Sequence, residues 1–262
     1  MNAGRIAVAG LAHSFGAGRE ALGPVDLIVE PGTFVSIVGP SGCGKSTLLR
    51  VLAGVLTPSS GHATIDDRDV RGQPGVAAYM AQKDLLLPWR RALDNAILGS
   101  ELDGVDRSEA RARASAWFDR FGLTGFEDAW PHELSGGMRQ RLALLRTFLF
   151  RRDVLLLDEP FGALDAITRQ DMVTWLAEVW AADRRTALLV THDVEEALLL
   201  SDRVEVMSAR PGTIVASIPV DLDRPRPAEL VTDPAFVALR ARVLQALRGG
   251  HPAQPDGSPL AH

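Results

Sequence analysis

Two short runs hold residue types suited to phosphate chemistry. The first, GPSGCGKST, fits the pattern G-x-x-x-x-G-K-[ST] through Gly39, Gly44, Lys45 and Ser46. Glycines let a backbone curl until successive N–H groups face phosphate oxygens at the positive end of the following helix. The loop from Gly39 through Pro40, Ser41, Gly42, Cys43 and Gly44 would wrap the phosphates of a nucleotide, with Thr47 at its end. Lys45 would bridge the β- and γ-phosphates, and Ser46 would ligate Mg2+. The second run, VLLLDEP, carries Asp158 and Glu159 at the end of an apolar stretch. Open α/β sheets bind ligands at such strand ends. Asp158 would hold the hydrated Mg2+, and Glu159 would orient and polarise an attacking water. Adjacent acids at a strand end are more often a solvated turn. Here the apolar run before them and the glycine loop upstream favour chemistry.

Other residues carry less by themselves. His192 follows the apolar run ALLV and could reach a γ-phosphate, although a lone histidine there is normally solvated. Gln82, ending YMAQ, could contact Mg2+ or water. His13, His62, His132, His251 and His262 read only as core or surface residues. Cys43, near a helix N-terminus and Lys45, is expected to react readily with maleimide and to be shielded by Mg-ATP.

LSGGMRQR raises a separate question. Ser135, Gly136 and Gly137 open a helix, and so form a second anion site in a chain that already has one. The intervening helical segment keeps this turn from folding onto its own glycine loop. A two-fold pair would allow each copy to lay the turn over the triphosphate held by the other, in an isologous contact. The alternative is an ordinary turn with Ser135 as helix N-cap.

The elements that must position these residues follow from periodicity. RIAVAGL, VDLIVE and TFVSIV are short β-type runs, and KSTLLRVLAGVL has apolar residues at helical spacing. HATIDDRDV and GVAAYMAQ read as further strands. From about Leu85 to Phe150 the pattern is helical, with a cap at Asp106 or Ser108, a face of Ala110, Ala114, Trp117, Phe118 and Phe121, and a stop at Gly122. DVLLLD and TALLVTH are the continuous apolar runs of parallel strands covered on both faces. RVEVMSARPGTIVASIPV reads as a hairpin turned at Pro211-Gly212. The tail HPAQPDGSPLAH is expected to be disordered. The result is an α/β core interrupted by a helical block.

Composition narrows the function classes. Net charge is −5 and aromatic residues make up 6%, so neither a general nucleic-acid binder nor a base-stacking surface is indicated. The single cysteine excludes an intrachain disulfide framework and suits a reducing cytosol. Without an apolar run of about 18 residues or a signal peptide, the chain is expected to be soluble and to reach a membrane only through a partner.

Taken in order, these motifs resemble the ATP-binding subunits of ABC transporters across roughly residues 5 to 245. The resemblance implies a P-loop NTPase with a RecA-like core sheet (about 1–84 and 152–220), an N-terminal antiparallel β subdomain, an inserted α-helical subdomain (about 85–151) and a C-terminal helical segment (about 221–248). It also implies roles. Phe15 stacks on adenine, and Gln82 centres the Q-loop with a part in catalysis and at Mg2+. The signature LSGGMRQR, with Ser135, Gly136, Gly137 and Gln140, contacts the nucleotide. Asp165 in GALD meets the partner copy across the dimer, and His192 is the switch histidine. LLLPWRRALDNAILG, FGALDAITRQDM and VMSARPGTIVASIPVDLDRPRP look like the importer branch for nitrate, taurine and alkanesulfonates. ATP, Mg2+, a second copy, transmembrane permease subunits and, indirectly, an extracytoplasmic solute-binding protein are then the implied partners, with no nucleic acid. The chain would sit peripherally on the inner face of the cell membrane. Leu85 to Trp89 would be either an apolar groove for a permease helix or internal packing. Lipid-trafficking and export systems remain alternatives, as does DNA maintenance, whose ATPases carry long coiled coils or zinc-binding cysteines absent here.

Overall fold

A computed structural model describes residues 4–16 and 18–249, so the segment 251–262 expected to be disordered lies outside the described residues. The chain opens with β1 (Ile6–Phe15) and β2 (Arg19–Val29), paired antiparallel and largely alternating between buried and open positions. The pattern then changes. All five residues of β3 (Phe34–Val38) are buried, and this strand feeds through the glycine loop into α1 (Lys45–Leu52). β4 (Ser60–Ile65) and β5 (Arg68–Asp69) return to β1 and complete an antiparallel sheet in the order β2-β1-β4-β5.

β6 (Ala78–Met80) begins the return to the main sheet. The helical block follows as α2 (Ala92–Ala96), α3 (Leu98–Leu102), α4 (Arg107–Phe118) and α5 (Gly136–Leu149). The Asp106 carboxylate caps α4 by accepting from the N–H groups of Ser108 and Glu109. Ala110, Ala114 and Phe118 face inward with Phe121, while Trp117 is only half-buried against Phe148. Gly122 ends this stretch at φ 60°, a conformation that costs glycine little.

The remainder alternates strand and helix: β7 (Val154–Asp158), α6 (Ala166–Asp183), β8 (Thr186–Thr191), α7 (Val194–Leu200), β9 (Arg203–Met207), β10 (Ile214–Pro219) and α8 (Pro234–Gly249). The second sheet runs β10-β9-β3-β8-β7-β6, parallel except for β10, which pairs antiparallel with β9. Its strands are covered on both faces. Val35, Ile37, Leu156, Leu188 and Val190 pack toward α1 and the first sheet, whereas Phe34, Leu155, Leu157, Ala187 and Leu189 pack toward the helical block, α6 and α7. That two-sided burial is why these runs are apolar at every position.

Two expectations need amendment. The segment after residue 220 is not one helical run: Pro225 and Pro227 lie in an irregular strap, and α-helix resumes only at Pro234. A proline lacks the N–H that a helix interior needs. In the strap the Arg226 guanidinium donates to the carbonyls of Leu198, Ser201, Val220 and Leu222, and Arg224 donates to that of Leu200. Carbonyls at the end of α7, which have no partner within the helix, are thus satisfied by side chains from beyond the sheet. Burial pulls the Arg226 pKa down to about 10, leaving it protonated at neutral pH. The stretch Leu85 to Trp89 is split, with Leu86 buried and Leu85 and Trp89 exposed at 60% and 70%. Among the described residues no helix is long and apolar enough to cross a membrane.

Candidate functional site

The glycine loop is shaped by steric exclusion. A Cβ on Gly39 would lie 2.8 Å from the Met207 carbonyl oxygen, and one on Gly44 would lie 2.5 Å from that of Ala21. Gly44 also sits at φ 109° as the residue preceding α1. Lys45 is 5% exposed and folds back over the loop, its Nζ donating to the carbonyls of Gly39 at 2.7 Å and Pro40 at 2.9 Å. Ser46 Oγ donates to Asp158 Oδ1 at 2.9 Å. Asp158 ends β7 and is 1% exposed; burial pushes its carboxyl above the usual carboxylate range, and the Ser46 hydroxyl partly opposes that shift.

Glu159 leaves the strand at φ 49°, a left-handed conformation uncommon for a residue with a side chain. Its N–H is held by the Val190 carbonyl at 2.8 Å. Gln82 Nε2 donates to its Oε2 at 3.1 Å, and His192 Nδ1 stands 3.5 Å from its Oε1. The ends of β6, β7 and β8 therefore bring Gln82, Asp158, Glu159 and His192 together beside Lys45 and Ser46.

A cleft of about 450 Å³ runs along this line, walled by Phe15, Ala21, the glycine loop, Gln82, Glu159, His192 and Arg210. Phe15 is 44% exposed at its rim, with its ring edge-on to the buried His13 at 4.5 Å. One open face flanked by a curled row of N–H groups, with the Glu159 carboxylate in its wall and the buried Asp158 bonded to Ser46, suits a nucleoside triphosphate.

Not every expected residue joins the cleft. Ser135, Gly136 and Gly137 are absent from its walls. The Ser135 hydroxyl accepts from Met138 N–H at 3.2 Å, so the N-cap alternative is realised in this chain, while the hydroxyl proton stays free to donate. Gln140 is 5% exposed, and its amide faces the Glu159 carbonyl at 3.4 Å. It is placed to support the backbone of Glu159. Asp165 caps α6 through Thr168, and this hydroxyl contact holds its carboxyl below the usual range.

Cys43 also departs from expectation. Its side chain is 1% exposed, packed inward between the loop and the core, so only its backbone can face phosphate. Maleimide should react slowly with the folded protein whether or not Mg-ATP is present, and fast only after denaturation. Rapid labelling of the native chain, measured by mass spectrometry, would contradict the packing.

Sequence reasoning missed several residues. Tyr79 Oη approaches Asp158 Oδ2 at 3.5 Å, and Arg210 reaches the cleft from the β9–β10 turn. Glu196 in α7 is 6% exposed, accepts a 2.7 Å hydrogen bond from Thr191 and lies 3.7 Å from Arg169 of α6. Burial raises its pKa to about 7. An acid whose folded pKa exceeds its unfolded value contributes stability that is complete below the unfolded pKa and is lost as pH rises through the folded one. For Glu196 that window runs from the ordinary glutamate value of 4.5 to about 7. Between pH 5.5 and 8.5 the wild type should lose on the order of 2 kcal/mol through this group. Glu196→Gln keeps an acceptor for Thr191 and should flatten that slope, read by denaturant unfolding at both pH values.

Comparison with known proteins gives a consistent picture. Residues 22–162 match the family model described as ABC transporter. An aliphatic sulfonates import ATP-binding protein of Albidiferax ferrireducens is 44% identical over 252 residues, covering 96% of this chain and 86% of that one. A taurine import ATP-binding protein of Rhizobium johnstonii is 43% identical over 239 residues, with 88% and 90% covered. Among solved structures, a dimeric bacterial ABC transporter cassette superposes with a TM-score of 0.76 at 27% identity, covering 83% of this chain and all (100%) of that one. The same cassette in a dimeric post-hydrolysis state bound to ADP and Pi gives 0.75 at 26%, with 83% and 100% covered.

Proposed function

Since the chain belongs to the ABC transporter family, we propose that it is the ATP-hydrolysing subunit of an importer for a small sulfonate-, taurine- or nitrate-like solute. The observation that carries this reading is that Lys45, Ser46, Gln82, Glu159 and His192 line one cleft, with Asp158 bonded to Ser46. The relatives named for sulfonate and taurine import supply the solute class.

ATP lies with its base toward Phe15 and its phosphates in the loop. Lys45 turns from the Gly39 and Pro40 carbonyls to the β- and γ-phosphates, exchanging two neutral acceptors for charged ones. Ser46 and Asp158 offer two hard oxygen donors 2.9 Å apart, and burial of the carboxylate without a cationic partner in hydrogen-bond contact among the described residues suits a divalent ion. These two residues, with Gln82 beside them, would hold Mg2+, which neutralises charge on the phosphates when bound. Glu159 takes the proton of the attacking water, and His192 and Gln82 fix the direction of its carboxylate.

Two copies complete the site. The exposed Ser135 and Gly136 of one copy cover the γ-phosphate held by the other, and Asp165 lies at the contact between the two sites. Closing requires the γ-phosphate, so hydrolysis opens the pair. The exposed apolar Leu85 and Trp89 would receive a permease subunit, with the chain then on the cytoplasmic side of the membrane and a solute-binding protein on the other. The test is ATP hydrolysis by the purified chain, alone and with whatever integral membrane protein co-purifies with it. A chain that neither hydrolyses ATP nor brings down such a protein would end the reading.

A further inference from the structure

The ARPG turn between β9 and β10 is not a loose surface loop. Ser208 N–H donates to the Thr213 carbonyl at 2.9 Å, and Thr213 N–H returns to Ser208 Oγ at 3.0 Å. Gly23 N–H of β2 donates to the Gly212 carbonyl at 3.0 Å. Gly212 presses so closely on the glycine loop that a Cβ there would lie 2.0 Å from the Cys43 carbonyl oxygen. The turn is thus fixed both to β2 and to the back of the phosphate-binding loop.

From this platform Arg210 projects into the cleft. Its Nε donates to the Glu20 carbonyl at 2.7 Å, while its two terminal amino groups have no partner among the described residues. The anchor also sets the height of the guanidinium along the cleft. Glu20 precedes Ala21, the residue whose carbonyl abuts Gly44 in the loop, and Ser14 beside Phe15 pairs with Glu20 across the hairpin. Arg210 therefore stands between the aromatic at the base end and the loop at the phosphate end.

We propose that Arg210 is a further nucleotide-binding residue, holding the α-phosphate of the bound ATP through its terminal amino groups. The inference rests on the ATPase reading above. A guanidinium is a donor-only fork matched to phosphate oxygens, and here one of its N–H groups is already engaged, so little freedom is lost on binding. The α-phosphate is common to ATP and ADP, which means the contact survives hydrolysis and release of the γ-phosphate.

The test is isothermal titration of ATP and ADP into the wild type, R210A and R210Q, with the nucleotide-free Tm of each measured alongside. Both variants should bind ATP and ADP about tenfold more weakly, by the same factor for each nucleotide, with Tm unchanged. R210Q lacks the terminal amino groups but can place an amide N–H where Nε now donates to the Glu20 carbonyl, which separates loss of the phosphate contact from loss of the anchor at the turn. Unaltered affinities would overturn the assignment. So would a loss confined to ATP, which would put the guanidinium at the γ-phosphate, or a fall in nucleotide-free Tm in both variants that accounts for the weaker binding. A wild type that binds neither nucleotide would instead defeat the ATPase reading itself.

Discussion

Glu159→Gln binds ATP with affinity within about twofold of wild type and hydrolyses it on the order of a thousandfold more slowly. The substitution preserves shape, and an amide oxygen can still accept from Gln82 Nε2, now 3.1 Å from the carboxylate. What disappears is a proton acceptor at the end of β7. With closure dependent on the γ-phosphate and its removal blocked, ATP should drive the variant into a stable dimer. Size-exclusion chromatography with ATP, with ADP and without nucleotide reads that directly. Turnover near the wild-type rate would move the base away from Glu159, and undiminished turnover without any dimer would remove the basis for a shared site. The left-handed backbone at Glu159 sharpens the expectation. A conformation with an energetic cost of this kind persists where the surrounding structure enforces it, here through the Val190 carbonyl.

Lys45→Ala acts at the opposite end of the same reaction. Lys45 is 5% exposed and stands over the loop with two carbonyl contacts, so its ammonium is placed before any ligand arrives. Removing it deletes the charge-assisted contacts to two phosphates, each contributing about 1.5–3 kcal/mol. ATP affinity should fall by roughly a hundredfold or more, with hydrolysis below detection at millimolar ATP. Titration of a fluorescent ATP analogue measures the first and phosphate release the second. Lys45→Arg should recover little, because the buried site has been filled by a slim ammonium and a planar fork is broader. Near-normal affinity in Lys45→Ala would mean that the loop backbone alone binds the triphosphate.

The two variants address what could be read from local pattern. Strand, glycine loop and helix are contiguous, so Gly39, Lys45 and Ser46 were legible as a unit, and the uninterrupted apolar runs before Asp158 and His192 marked strands buried on both faces. The caps were legible as candidates for the same reason, Asp106 beside Ser108 and Ser135 as the alternative to an anion site, since each bonds within three residues. What could not be read depends on distant packing. Arg210 takes its anchor from a residue 190 positions away, and Tyr79 meets Asp158 across 79. The inward turn of Cys43 follows from the surrounding core, which no spacing within GPSGCGKST records. Glu196 lies beside another glutamate in a polar-looking VEEA, and only the docking of α6 and α7 shows that one of the pair is buried.

The arginine-rich strap after β10 bears on where this protein can be shortened. A chain cut after Val220 would keep every strand of both sheets yet strip the carbonyls of Leu198, Leu200 and Ser201 of their side-chain donors and uncover the end of α7. The helix so exposed begins two residues after His192. Trimming for crystallisation, or fusing a reporter in place of the last forty or so residues, would therefore disturb the histidine at the reaction centre before it disturbed the sheet.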